Sequence, residues 1–335
     1  MNNPLETFES IRDFYISYLE TAFRIDSSDI QSERRALLEQ QGTLCADLFL
    51  EPMPRYQHYG LTISELRNDA YGQTWLPGFN AQQRAAFIDL CLGGLLPHNK
   101  TDSTKGRFNL YTHQLDMLKR GVQPGKPGIV TSGTGSGKTE SFLLPVLAQI
   151  AKEATGWPQS PVLKCWQPWW HKVADKQPSF MREHEAAARP KAVRALILYP
   201  MNALVEDQLV RMRRALDSSE AHDVMDTHFG GNRIFFGRYT SATKVTGWLK
   251  HPRLSEEKNE KKRVAKKITE LREYMQLTEE THQEAVRQAQ QDKDNELSFN
   301  FPRTAGGEVL SRWEMQKKPP DILITNTSML STMLV

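Results

Sequence analysis

Phe8, Ile11, Phe14, Tyr15, Tyr18, Leu19 and Phe23 recur at helical spacing, which predicts an amphipathic N-terminal helix with one apolar stripe. Ser27-Ser28-Asp29 offers N-cap side chains for a second helix through Arg34-Arg35-Ala36-Leu37-Leu38, and Gly42 is placed to stop it. Two prolines in Glu51-Pro52-Met53-Pro54-Arg55-Tyr56 exclude a regular helix and predict an extended connector. A further helix is expected from about Asn80 to Leu92. The stripe near the N-terminus is expected to pack into a core. The alternative role is a face for protein partners.

From about Asn99 the texture changes. Asn99 to Gly106 is polar and reads as a linker. After it, short apolar runs alternate with helical stretches: Gly128-Ile129-Val130-Thr131, Ala195 to Tyr199, Arg233 to Phe236, and Asp321 to Thr325. Near-continuous apolar runs separated by helices are what a parallel sheet covered on both faces produces. Two stretches interrupt the pattern. One, about 156–190, is rich in Trp and Pro and includes Trp157, Cys165, Trp166, Trp169 and Trp170. The other, about 250–310, is dense in Lys, Glu and Gln and reads as a projecting, solvated helical pair. The expected architecture is therefore α/β: a helical region over 1–100, then a P-loop domain with a parallel sheet over 101–335.

The 335 residues are 39% hydrophobic and 25% charged, enough to build a sizeable core and too ordinary for wholesale disorder. No apolar run reaches the roughly 18 residues of a membrane span, and the first residues resemble no signal peptide. Three cysteines, Cys45, Cys91 and Cys165, are too few and scattered for a disulfide framework or zinc site, which points to a reducing cytoplasm. The net charge of +3 is too small to argue for nucleic acid, so that reading must come from local motifs.

The decisive motif is Ser132-Gly133-Thr134-Gly135-Ser136-Gly137-Lys138-Thr139, between an expected strand and a helix that opens with Thr139-Glu140. Glycines permit a backbone path that turns successive N–H groups toward anionic oxygens, and the helix N-terminus adds its positive dipole end. Lys138 can reach the β- and γ-phosphates of ATP, and the Thr139 hydroxyl can ligate Mg²⁺. Ser132 stands where the standard pattern opens with Gly. Upstream, Phe108 to Gln114 places Tyr111 and Gln114 at the start of a helix. A Gln amide matches the donor and acceptor edge of adenine, and an aromatic before it can stack on the base. The candidate nucleotide-binding set is thus Tyr111, Gln114 and Ser132 through Glu140.

A P-loop alone leaves kinases, GTPases, motor ATPases and helicases open. Four further stretches discriminate. Phe108-Asn109-Leu110-Tyr111-Thr112-His113-Gln114 resembles the Q motif, and Tyr199-Pro200-Met201-Asn202-Ala203-Leu204-Val205-Glu206-Asp207-Gln208 resembles motif Ia of superfamily 2 helicases. Phe236-Gly237-Arg238-Tyr239-Thr240 resembles the loop between motifs Ia and Ib, and Pro320 to Leu330 resembles motif Ib. Ser241-Ala242-Thr243 spells motif III but precedes motif Ib, out of order, and is coincidence. In this order the blocks resemble the first RecA-like domain of a superfamily 2 DEAD/DEAH-box helicase. Their long forms are similar to large bacterial helicases related to the Lhr-like and MrfA-like enzymes of DNA repair and phage defence.

The resemblance implies ATP-driven movement along a nucleic acid, DNA rather than RNA. Pro200, Asn202, Arg238, Thr240, Thr325 and Asn326 would line the track and touch mostly backbone, so sequence preference should be weak. No Asp-Glu dipeptide occurs in the chain, so motif II, with the Glu that positions water, is not found before Val335. The expectation is the N-terminal part of a helicase, truncated before motif II, its RecA-like domain incomplete and not catalytically competent alone. The alternatives are a non-catalytic nucleotide- or nucleic-acid-binding module and an inert remnant of a disrupted helicase gene.

Overall fold

The computed structural model describes residues 3–46, 55–99, 101–102, 105–133, 135–161, 168–171, 182, 184–244, 258–292 and 295–334. Residues 51–54 of the expected connector, Thr134 of the phosphate loop, and Cys165 and Trp166 lie outside them. The chain divides into two compact units, Met1–Arg55 and Tyr56–Val335.

The first unit contains α1 (Pro4–Ala22) and α2 (Ser28–Glu39). Asn3 caps α1, its side-chain oxygen accepting from the Leu5 amide at 3.1 Å. The helices are joined by Arg35–Glu20 (3.2 Å) and by Arg34 donating to the Phe23 carbonyl (2.6 Å). The apolar stripe of α1 does not form the core expected of it. Ile16 is buried, but Phe14 is 77% and Tyr18 62% exposed. A hairpin of two helices offers too little facing surface to cover such a stripe.

The second unit opens with β1 (His58–Thr62), α3 (Asp69–Trp75) and α4 (Ala81–Leu90). Asn80 and Gln83 cap α4 reciprocally: the Gln83 amide donates to Asn80 (2.8 Å), and the Asn80 amide donates back to Gln83 (3.1 Å). Next come β2 (Asn109–Tyr111), antiparallel to β1, then α5 (Thr112–Gly121) and α6 (Lys138–Ala154). Leu66, Phe87, Leu90, Leu115, Leu144 and Leu147 share one buried core with Leu209, Phe229 and Ile324, so residues 56–100 pack as part of the P-loop unit. The approach is closest at the turn after α4, where a Cβ added to Gly94 would lie 2.0 Å from the Arg214 carbonyl oxygen.

The sheet joins β3 (Ala195–Tyr199), β4 (Phe236–Tyr239) and β5 (Ile322–Asn326) in the order β3-β5-β4, all parallel. Between β3 and β4 lie α7 (Asn202–Asp217) and α8 (Ser219–His228). The parallel sheet is as expected, with two corrections. The third strand is Phe236–Tyr239, the stretch expected as the loop after it, rather than the apolar run Arg233 to Phe236, and the run at 128–131 is not a strand. Residues 128–131 belong to no strand among the described residues, and Ile129 is 90% exposed. An apolar run with β-propensity becomes a strand only when a neighbour takes up its backbone groups.

The charged insertion is one continuous helix, α9 (Lys258–Asp292), rather than the expected pair. No Gly or Pro occurs between these bounds, so nothing in the sequence breaks it. Leu271 and Met275 pack with Trp169, Trp170 and Trp313 of α10 (Arg312–Lys317). Trp170 donates to Glu279 at 2.9 Å and Trp169 to Glu314 at 3.3 Å, so the two insertions hold each other. The last helix is α11 (Thr327–Leu334).

The entry ends of the strands are tied by a buried ion network. Asp321, 2% exposed, accepts from the Phe235 amide (2.7 Å), from Arg194 (2.6 Å) and from Arg189. Arg194 continues to Glu153 (2.8 Å), and the Arg189 guanidinium lies 3.6 Å from the centre of the Trp157 ring. Removing one partner leaves buried charges uncompensated. Asp321→Ala is therefore expected to lower unfolding stability by about 3–5 kcal/mol, read from denaturant midpoints.

The hydrogen bond from Arg194 holds the Glu153 carboxyl below the ordinary glutamate range, against some desolvation. A folded pKa lowered in this way gives stability that is present above the unfolded pKa and lost as pH falls through the folded one. The stability difference between wild type and Glu153→Gln is thus expected in full at neutral pH. It should close as pH drops below about 4.3, measured as midpoints against pH.

Candidate nucleotide and nucleic-acid site

The phosphate loop is shaped by residues that could not be exchanged for larger ones. Gly135 and Gly137 sit at φ +73° and +69°, in the left-handed region that favours glycine. Gly137 is the N-cap of α6, and a Cβ there would lie 2.3 Å from the Gln114 amide nitrogen. Ser136, almost fully buried, donates to the Gly133 carbonyl at 2.8 Å and lies 2.6 Å from the Ser132 hydroxyl. Ser132, at the position where the pattern usually has Gly, thus braces the loop from inside. Lys138 is exposed, and Thr139 and Glu140 are half-buried at the start of α6.

The start of α5 supports the loop from the other side. Gln114 accepts from the Tyr111 amide (3.0 Å) and donates to the Gly137 carbonyl (3.2 Å), while the His113 ring donates to the Ser136 carbonyl (2.8 Å). These bonds use one N–H and one lone pair of the Gln114 amide. Tyr111 is engaged in ring contacts, stacked on His58 (4.9 Å) and on His113 (5.4 Å). Phe108 is the freer ring, 49% exposed, with the Arg107 guanidinium 5.1 Å from its centre. A cavity of about 780 Å³ is lined by Phe108, Tyr111, Gln114, Gly135, Gly137, Glu140 and Arg214, within the size range of small-molecule sites. Tyr56, whose hydroxyl would lie 2.5 Å from a Cβ at Gly133, also abuts the loop, and its place in the sequence carries no signal of this.

The residues expected to line a nucleic-acid strand come from three separate strand ends. In register, Tyr199 faces Asn326 and Thr325 faces Tyr239, so the exits of β3, β4 and β5 form one edge. Crevices at such carboxyl ends are where open α/β sheets bind ligands. Pro200 is exposed at this edge, and the side chain of Asn202 lies outside the described residues. Thr325 is fully buried and donates to the Tyr239 carbonyl at 2.6 Å. Thr240 is 2% exposed; its amide donates to Thr243 (3.0 Å) and its carbonyl accepts from Arg312 (2.7 Å). These two threonines set the shape of the edge. Asn326 accepts from the Met329 amide (2.6 Å) at the start of α11, and Arg238 is paired with Glu206 of α7.

The two regions are linked through α7. Arg211 donates to Glu140 at 2.8 Å and to Asp207 at 3.2 Å. Glu140, in the candidate nucleotide set, therefore carries an ion pair to α7, the helix that follows β3. The sequence marks Arg211 only as one of several charges on an amphipathic helix. Burial also pushes the Tyr199 phenol up to about 12, so it stays protonated.

Residues 111–235 match the DEAD/DEAH box helicase family. This stretch runs from Tyr111 to Phe235 and contains the phosphate loop. The chain is also similar to Druantia protein DruE of Escherichia coli (strain UMEA 4076-1), 27% identical over 359 aligned residues and 98% of the chain. The chain spans about 17% of that relative's length. No solved structure matches. Among the described residues no helix is long and apolar enough to cross a membrane.

Gly137→Ala should force Gln114 and the loop apart. It is expected to weaken binding of a fluorescent ATP analogue about tenfold or more while leaving the far-ultraviolet circular dichroism unchanged.

Proposed function

We propose that this chain is the ATP-binding and strand-gripping part of a nucleic-acid helicase or translocase. The observation that carries the reading is the pairing of two features in one unit. One is a phosphate loop with left-handed Gly135 and Gly137 at the start of α6; the other is the common exit edge of β3, β4 and β5. The Glu140–Arg211 ion pair bridges them.

The loop fits a nucleoside triphosphate with Mg²⁺. Lys138 would hold the phosphates, the Thr139 hydroxyl the metal, and Gln114 with Phe108 or Tyr111 the base. ATP hydrolysis supplies the driving free energy of such a motor. Pro200, Asn202, Arg238 and Asn326 would face the strand, with Thr240 and Thr325 shaping the edge behind them. The strand is DNA and the setting is cytoplasmic, in DNA repair or phage defence, on the likeness to large bacterial helicases. These 335 residues contain no Asp-Glu pair to position water, so they bind nucleotide without turning it over at a useful rate.

Lys138→Ala is expected to weaken Mg-ATP binding about tenfold or more, by fluorescence titration. Arg238→Ala should lower affinity for single-stranded DNA and reduce its salt slope by about 0.7. Unchanged strand affinity in Arg238→Ala would count against the track assignment. Robust DNA-stimulated ATP turnover by the isolated chain would overturn the non-catalytic part.

A further inference from the structure

The charge on α9 is segregated along its length. Lys258 to Arg272 contains seven Lys and Arg against two Glu, whereas Glu273 to Asp292 contains five acids against Arg287. This polarity is the reverse of what a helix favours, because cations near an N-terminus oppose the macrodipole. The overall near-neutrality of the insertion conceals a cationic end.

Lys262, Arg263 and Lys266 are exposed and Lys267 is half-buried. Lys266 lies 3.9 Å from Glu270, a loose and exposed pair. Among the described residues no carboxylate pairs with Lys262, Arg263 or Lys267. At about 100° per residue, Arg263, Lys267 and Tyr274 fall on one stripe, with Lys262 and Lys266 beside it. The inward face is a different one, Ile268, Leu271 and Met275.

This stripe is continuous with the track edge. The Lys244 ammonium sits 5.0 Å from the centre of the Tyr274 ring, at the foot of the stripe. Lys244 follows Thr240 by a single turn, in which the Thr243 amide donates to the Thr240 carbonyl at 3.1 Å. The Arg312 guanidinium, 4.7 Å from the centre of the Tyr239 ring, donates to that same carbonyl. Cationic groups therefore run from the exits of β4 and β5, through Arg312 and Lys244, onto the flank of α9. From Tyr274 to Arg263 they continue for about 16 Å of helix.

We propose that the basic end of α9 is a second contact surface for nucleic acid, holding backbone phosphates of the strand beyond the track edge. It rests on the strand-gripping reading above and extends it to an inserted element. Lysines and arginines with no carboxylate partner keep their full charge for phosphates, and spacing along a helix flank suits a backbone rather than a base. The contact is therefore indifferent to sequence and strongly salt-dependent.

The test uses the whole 335-residue chain and fluorescein-labelled oligo-dT, with anisotropy titrations across a range of salt. Wild type is compared with a variant carrying Lys262→Gln, Arg263→Gln, Lys266→Gln and Lys267→Gln, which keeps helix propensity and touches no core residue. The expected result is weaker binding, with the slope of log affinity against log salt reduced by about 2–3. Arg287→Gln, in the acidic half, is the control and should leave the slope unchanged. An unchanged slope in the four-residue variant, with wild type still binding, overturns this surface and leaves the strand-gripping reading standing. An equal loss in Arg287→Gln also overturns it, because charge anywhere on the helix would then suffice. Absence of any oligonucleotide binding by wild type overturns both.

Discussion

A single buried carboxylate organises the sheet on which everything else is built. Asp321 stands at the entry to β5, the central strand, and its side chain accepts from the Phe235 backbone just before β4. Its backbone carbonyl accepts from Arg194 and Ala195 at the start of β3, at 2.7 and 2.9 Å. One residue thus sets the stagger of all three strands, with Arg189 and Arg194 compensating the charge. Such a cluster is not strongly stabilising compared with an apolar core, but it is costly to break. Because strand exits are at fixed distance from strand entries, the alignment at Asp321 determines which residues meet at the opposite edge.

That edge collects Pro200, Thr240 and Asn326 from three distant parts of the sequence. Part of the two insertions packs with α10, apart from the main core that Trp157 joins. Trp169, Trp170, Leu271, Met275 and Trp313 form a satellite core, and the Trp170 and Trp169 indole N–H groups donate to Glu279 and Glu314. Burial raises the Glu314 pKa, while hydrogen bonds from Ser311 and Trp169 oppose that shift. A charged helix of this length is thereby held by a small core of its own.

The phosphate loop is organised differently, by contacts at its back. Gln114, His113 and Ser136 bond to the carbonyls of Gly137, Ser136 and Gly133. Glu140 connects the same helix terminus to Arg211, and Glu206 one turn earlier on α7 holds Arg238 at the strand edge. Glu140 of the candidate nucleotide set and Arg238 of the candidate strand set therefore both pair with one helix, α7.

Much of this was legible along the chain. The bounds of α1, α2 and α4, the glycine-punctuated loop, and the runs that become β3 and β5 all follow from local periodicity and capping, which adjacent residues determine. The sequence could also place Lys138 and Thr139 at a helix start, because a P-loop is contiguous. Other features depend on partners far away in the chain. Residues 128–131 have the composition of a strand, yet pairing decides whether they are one. The stripe of α1 has the period of a core face, yet covering surface decides whether it is buried. Tyr56 behind Gly133, Arg211 on Glu140, and Lys244 against Tyr274 are long-range meetings with no local signature. Local physics named the phosphate loop and its chemistry; only the tertiary structure decided which charges surround it, because electrostatic and packing partners are chosen in space rather than along the chain.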